Sequence, residues 1–322
     1  MSDDVFWLPA KDGLRLHAYR WQPPTPPKGV LLLAHGMAEH AGRYARLGLA
    51  LNAAGYALYG HDQRGHGETA ATDQLGLFAY ANGWRKLLDD LDSMAAHVAA
   101  AHPGTPIYLL GHSMGSYIGQ AWLMRQPNLQ GAILSGSTFH PALYYRCMRT
   151  VAMLERWRQG AEGRSALIEW LSFRRMNERF KPNRTRFDWL SSVPAEVDRF
   201  IQDPLCGFRC TNQLWLDLLA GLDHISQPRH LAEIAADLPL LIIGGECDPI
   251  SAGERLTDLS TALRRAGSRE VQLNLYSNAR HELFNESHRE EVTADVVAWL
   301  DKHLPGTATA QDPSQSSRTV IP

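Results

Sequence analysis

The sequence predicts a doubly wound α/β protein with a mostly parallel sheet and one helical insertion. The first sign is a set of continuous apolar runs: "GVLLLAHG", "YALYGHD", "PIYLLGHS", "GAILSGS", "PLLIIGGECD" and "VQLNLYSNARH". A strand covered on both faces has no polar side, so a continuous run suits a buried parallel strand better than alternation does. The second sign is that helical stretches such as "GRYARLGLALNAAG" and "GWRKLLDDLDSMAAHVAAA" lie between most of these runs. Parallel neighbours need such crossovers, which makes β-α-β-α order the signature of a doubly wound sheet. The third sign is a break in that order between about residues 137 and 236, where the sequence is mainly helical.

The elements follow in order. The opening "DVFWLPAKDGLRLHAYRWQP" alternates around Lys11-Asp12-Gly13 and predicts a β-hairpin. Residues 1–136 and 237–304 are assigned to the α/β core. Residues 137–236 are assigned to a helical cap inserted in it, with helices in "ALYYRCMRTVAMLERW", "SALIEWLSFRRM" and "NQLWLDLLAGLDHIS". The end, residues 305–322, has the composition of a flexible tail.

With 322 residues, 44% of them hydrophobic and 20% charged, the chain can bury a full core. A net charge of −2 gives no basic footprint for a nucleic-acid partner. The N-terminus is acidic and lacks a long apolar run, so neither leader nor anchor is expected. Four cysteines in a chain this long make no disulfide framework. Cys206 and Cys210 are spaced C-x-x-x-C without a second pair, so no metal is expected. A cytoplasmic location with reduced thiols is the expectation.

"YLLGHSMGSY" places Ser113 between Gly111 and Gly115, with a strand-like run before it and a helix-like run after it. In that context G-x-S-x-G has a physical meaning. The serine sits on a strained turn, and small neighbours let the adjoining elements close in. The hydroxyl then stands free at the carboxyl edge of the sheet. A serine hydroxyl needs a base to act as a nucleophile. His281, in "LYSNARHELFNE", follows the last strand-like run, and Asp248, in "IIGGECDPIS", follows the one before. Open α/β sheets gather their sites at the carboxyl ends of strands. Ser113, Asp248 and His281 all fall there, in the order Ser…Asp…His.

Glu246 rivals Asp248 as the carboxylate that orients the base. Only one of the two is expected to reach His281, and Pro249 favours Asp248 by fixing the turn. Charge developing on a substrate oxygen needs donors. The Met114 amide follows the nucleophile, and the Met37 amide follows His35-Gly36 in "LLLAHGMAEH". In "HDQRGHGET", Asp62 and Arg64 are expected to support the loop, by pairing with each other or with the backbone.

On these residues the chain resembles the α/β-hydrolase superfamily, and within it the monoacylglycerol lipase and lysophospholipase-like branch. The resemblance rests on "HGMAEHAGRYARL", "HDQRGHGET", "GHSMG", "ECDPI" and "ARHELFNE". It implies Ser113 as nucleophile, Asp248 as acid and His281 as base, with Met37 and Met114 as oxyanion donors. It also implies supporting roles for His35, Gly36, Glu39, Gly111 and Gly115. Glu39, His40 and Arg43 match the segment after the oxyanion turn. Glu246 departs from the family pattern, where relatives often carry Asp.

The expected function is hydrolysis of carboxylic esters with an acyl chain, of monoacylglycerol or lysophospholipid type, through an acyl-enzyme and without a cofactor. The alternatives are a general small-ester esterase, an aminopeptidase-like serine hydrolase, or a non-catalytic binding protein on the same scaffold. From Arg146 to Arg186 there are eleven basic residues against four acidic ones, interleaved with aromatics. Such a cap predicts a transient contact with anionic lipid surfaces.

Overall fold

The structure, a computed structural model, describes residues 4–251 and 254–306; the side chains of Arg174 and Arg175 and residues 307–322 of the expected tail lie outside the described residues. Among the described residues eight strands form one sheet: β1 (Asp4–Pro9), β2 (Arg15–Trp21), β3 (Gly29–Ala34), β4 (Tyr56–His61), β5 (Ile107–His112), β6 (Gly131–Ser135), β7 (Leu240–Gly245) and β8 (Val271–Tyr276). Their order is β1-β2-β4-β3-β5-β6-β7-β8. β1 and β2 form the antiparallel hairpin, and Gly13 supplies the positive φ its turn needs. β2 pairs antiparallel with β4, and every later pairing is parallel.

The continuous apolar runs are explained by the two-residue period of a strand. In β3, Val30, Leu32 and Ala34 enter one core cluster, while Leu31 and Leu33 enter the other. In β5, Leu109 faces the first cluster and Tyr108 and Leu110 the second. Helices α1 (Ala45–Ala53) and Arg289–Lys302 cover the second face. Helices α2 (Gly83–Ala101), α3 (Met114–Leu123) and Glu254–Ala266 cover the first. Each fully buried leucine stabilises the fold by about 1.5–3 kcal/mol.

Between β6 and β7 the chain holds α4 (Ala142–Gln159), short helical turns over 166–180, and helices Pro194–Gln202 and Asn212–Ile225. This stretch does not pack as a separate layer throughout. Leu214, Leu218 and Leu222 of the last helix share the first core cluster with α2, α3 and the inner face of α4. Only Trp189, Leu190 and Phe200 form a cluster of their own, joined by Phe173 and Phe187. The "SALIEWLSFRRM" helix is also broken: Ala166–Glu169 passes into a π-helical turn at Trp170–Arg174. Such a widened turn re-aims side chains, and Trp170 and Phe173 both face the cavity described next.

Candidate active site

The end of β5 delivers Ser113 into a backbone conformation that L residues seldom adopt, with φ 51° and ψ −120°. A strained non-glycine position of this kind costs about 1–3 kcal/mol and persists only where its surroundings fix it. Here the surroundings do so. The Ser113 amide donates to the Ser135 carbonyl at 2.8 Å, tying the turn to the end of β6. A Cβ on Gly111 would meet the Gly115 carbonyl oxygen at 2.6 Å, and one on Gly115 would run into the Ala34 carbonyl at the end of β3. Both glycines are therefore required by close approach.

Asp248 follows β7 and His281 follows β8, at the same edge of the sheet. His281 Nδ1 donates to Asp248 Oδ2 at 2.9 Å, which leaves Nε2 free. Asp248 is fully buried, and its oxygens also accept the Ile250 amide at 2.9 Å and the Ser251 hydroxyl at 3.0 Å. Burial works against a charged imidazole at His281, but the Asp248 carboxylate outweighs it and raises the His281 pKa above 6.5. Glu246 is exposed and accepts from the Ser277 hydroxyl at 3.0 Å, away from the pair. Among the described residues no hydrogen bond joins the Ser113 hydroxyl to His281, although both line one cavity. In unliganded enzymes this contact is commonly long and tightens when substrate binds.

The loop after β3 faces Ser113 across that cavity. Gly36, Met37 and Ala38 line it, and Ala38 also takes a positive φ of 54°. Glu39 holds this turn, accepting the Gly36 amide at 2.5 Å and the Tyr44 hydroxyl at 2.9 Å. Arg43 binds Glu39 on one side and forks onto Glu282 on the other, at 2.8 and 2.7 Å. All three side chains are buried or nearly so. Burial pushes the Glu282 carboxyl up, but the Arg43 guanidinium prevails and holds it well below the usual carboxylate range. One cation thereby fixes the loop of Met37 to the loop of His281.

The second support lies behind the first. His35 Nδ1 donates to the Gly36 carbonyl at 2.8 Å, and its Nε2 accepts the Gln63 amide at 2.9 Å. Burial lowers the His35 pKa to about 4, so the ring stays neutral in this arrangement. Asp62 accepts the Ala41 and Glu68 amides, each at 2.9 Å. Arg64 takes Asp90 and Asp12 instead of Asp62. The expected supporting role of that loop thus has more distant partners than its own sequence suggested.

The cavity measures about 610 Å³. Its apolar walls come from the insertion, with Trp170, Phe173, Phe187, Trp189 and Phe208 among them. The Trp189 ring lies 5.1 Å from that of His281. Sequence reasoning assigned no role to Trp189, Gln63 or Glu282. None of the three sits in a periodic pattern, and the adjacency of Glu282 to His281 was the one signal available.

A serine on a strained strand-to-helix elbow, sharing a cavity with a buried His–Asp pair from the last two parallel strands, defines the serine hydrolases of the α/β-hydrolase fold. The comparisons agree. Residues 25–288 match the family described as "Serine aminopeptidase, S33". The monoacylglycerol lipase of Mycolicibacterium smegmatis is 30% identical over 298 residues, 91% of this chain and 95% of the relative. A thermostable carboxyl esterase of Bacillus coagulans, solved with glycerol, superposes with a TM-score of 0.86 at 24% identity, covering 94% of this chain and 99% of that one. A soluble variant of the Saccharomyces cerevisiae monoglyceride lipase, solved with a substrate analogue, gives a TM-score of 0.74 at 22% identity, covering 94% and 96%. The chain belongs to the serine aminopeptidase S33 family of α/β-hydrolases, in its monoglyceride lipase branch, and is an ester-cleaving serine hydrolase.

Proposed function

We propose that Ser113, His281 and Asp248 form a catalytic triad that hydrolyses long-chain monoacyl esters, monoacylglycerols first among them. The observation behind this reading is the His281–Asp248 hydrogen bond of 2.9 Å on the wall of the cavity that also exposes Ser113. His281 Nε2 takes the Ser113 proton as Oγ attacks the ester carbonyl. The Met37 and Met114 amides receive the charge on the carbonyl oxygen. The protonated imidazole then gives its proton to the departing alcohol, and water, activated by the same His281, releases the fatty acid from the acyl-enzyme. The aromatic walls fit an acyl chain, and the M. smegmatis relative is a monoacylglycerol lipase.

A lysophospholipid is the second reading, supported by Lys181 and Arg186 at the cavity wall, whose cations suit a phosphate headgroup. A hydrolysis panel separates the readings. With monoacylglycerols, lysophospholipids, short p-nitrophenyl esters and aminoacyl amides side by side, monoacylglycerol is expected to give the highest kcat/KM. A preference for aminoacyl amides or short esters would overturn the reading. A fluorophosphonate probe is expected to label the wild type and not Ser113→Ala.

We also assign the outer face of α4 to a transient lipid contact. Leu143, Cys147, Leu154 and Trp157 are spaced by four, seven and three residues, which places them on one helix face. All four are exposed, Trp157 by 87%. Exposed Arg146 and Arg158 flank that stripe. No described helix is long and apolar enough to cross a membrane, so contact is by lying on the surface. Leu154→Ser with Trp157→Ser is expected to lower turnover of substrate in anionic vesicles about tenfold, while a soluble short-chain ester is cleaved as before. Added salt is expected to act in the same direction as the Debye length shrinks from about 10 Å at 0.1 M. Equal losses on both substrates would reject the contact. A cytoplasmic location, without a nucleic-acid partner, completes the reading; four unpaired cysteines fit a reducing compartment.

A further inference from the structure

His40, Asp203 and Cys206 come together beside the active site, at the junction of the loop after β3 with the loop after helix Pro194–Gln202. Their ligating atoms, an imidazole nitrogen, a carboxylate oxygen and a thiol sulfur, lie within 4.8 Å of one another. His40 Nε2 and Asp203 Oδ2 are already 2.9 Å apart. All three residues are only partly buried, so an ion can reach them from solvent. The His40 Nδ1 atom is buried without a hydrogen-bond partner. The ring is thus held through Nε2, on the side where Asp203 stands.

The surrounding charge has the sign a cation requires. The Asp203, Glu39 and Glu282 carboxylates and the Arg43 guanidinium all act on Cys206 electrostatically. One positive charge against three negative ones favours a bound dication.

We propose that His40, Asp203 and Cys206 form a site for Zn²⁺ or a similar borderline-soft divalent ion, and that its occupancy lowers turnover by clamping the loop of Met37. The nitrogen, oxygen and sulfur donors match what zinc takes, at about 2.0–2.3 Å, with water as the fourth ligand. Binding releases the Cys206 proton to solvent as the thiolate forms a bond to the metal, with no change of oxidation state. The mechanical link exists already: the Gly207 amide donates to the Ala38 carbonyl at 2.9 Å, next to Met37. The expectation that no metal binds came from spacing along the chain. His40 and Asp203 stand 163 positions apart, beyond the reach of any such pattern.

The test uses the full chain with Zn²⁺ and Cd²⁺. Calorimetry is expected to show a site that binds Zn²⁺, and Cd²⁺ a thiolate charge-transfer band, both lost in Cys206→Ala. Saturating Zn²⁺ is expected to slow cleavage of a soluble short-chain ester about tenfold, within the usual range of coupling between two sites. EDTA is expected to restore it. Asp203→Asn is the second variant, because its amide oxygen can still accept the Leu205 amide that Asp203 Oδ1 accepts at 2.9 Å, while a charged ligand is lost. It should weaken Zn²⁺ binding with its thermal midpoint near wild type. The other His-rich group, His224, His230 and Glu233, is the control. Inhibition that survives in Cys206→Ala, or binding that disappears in His230→Ala instead, would overturn the proposal, as would the absence of a thiolate band.

Discussion

Ser113→Ala and His281→Ala are each expected to lower kcat by roughly 10³-fold or more with the fold intact, and Asp248→Asn to do nearly as much. Combining them should add little, because nucleophile, base and orienting carboxylate act as one unit. Glu246→Gln is the internal contrast and should stay near wild type, since Glu246 bonds to Ser277 and not to His281. The pH profile follows from the same pair. His281 must be neutral to take the Ser113 proton, and Asp248 raises its pKa above 6.5. Activity should therefore fall as the pH drops, with a midpoint above that value, and Asp248→Asn should move the midpoint down. A dead Glu246→Gln beside an active Asp248→Asn would reverse the assignment of the acid.

Arg43→Met should cost more stability than any surface change in this chain. It leaves Glu39 and Glu282 buried beside each other without their cation, and removing one partner of a buried ion pair costs about 3–5 kcal/mol. Chemical denaturation reads that loss directly. The pH dependence checks its cause. Arg43 depresses the folded-state pKa of Glu282, so this contribution is present above the unfolded value and is lost as the pH falls through the folded one. The gap between wild type and Arg43→Met should then narrow on acidification. Arg43→Lys, which keeps the charge but not the fork, should fall between the two. A constant gap across that range would mean that packing around Arg43, and not its charge, is what was lost.

Both predictions show where the sequence was legible. The meeting of Ser113, Asp248 and His281 could be anticipated because each follows a continuous apolar run, and a parallel sheet brings the ends of such runs to one edge. The choice of Asp248 over Glu246 came from Pro249, which fixes the turn; alternation alone puts residues two apart on the same side and does not separate them. Arg43–Glu282 was not legible, because its partners stand 239 positions apart and no local pattern joins them. Trp189 was hidden for a different reason: its neighbours form short turns, so burial there is set by tertiary packing without a period. The broken helix at Trp170–Arg174 has the same origin, since a π-helical turn leaves the apolar spacing of the sequence almost unchanged.

The sharing of one core between the sheet and Asn212–Ile225 sets the limits of exchange between related enzymes. A graft that replaced everything from 137 to 236 would strip α3 of Leu214, Leu218 and Leu222, and with them the platform under the elbow. The interchangeable module is shorter. It is the cavity wall from Ser165 to Cys210, held between α4 and Asn212–Ile225. Chimeras joined at those two helices should inherit the donor's selectivity and keep the recipient's solubility, whereas chimeras joined at the sheet should inherit neither.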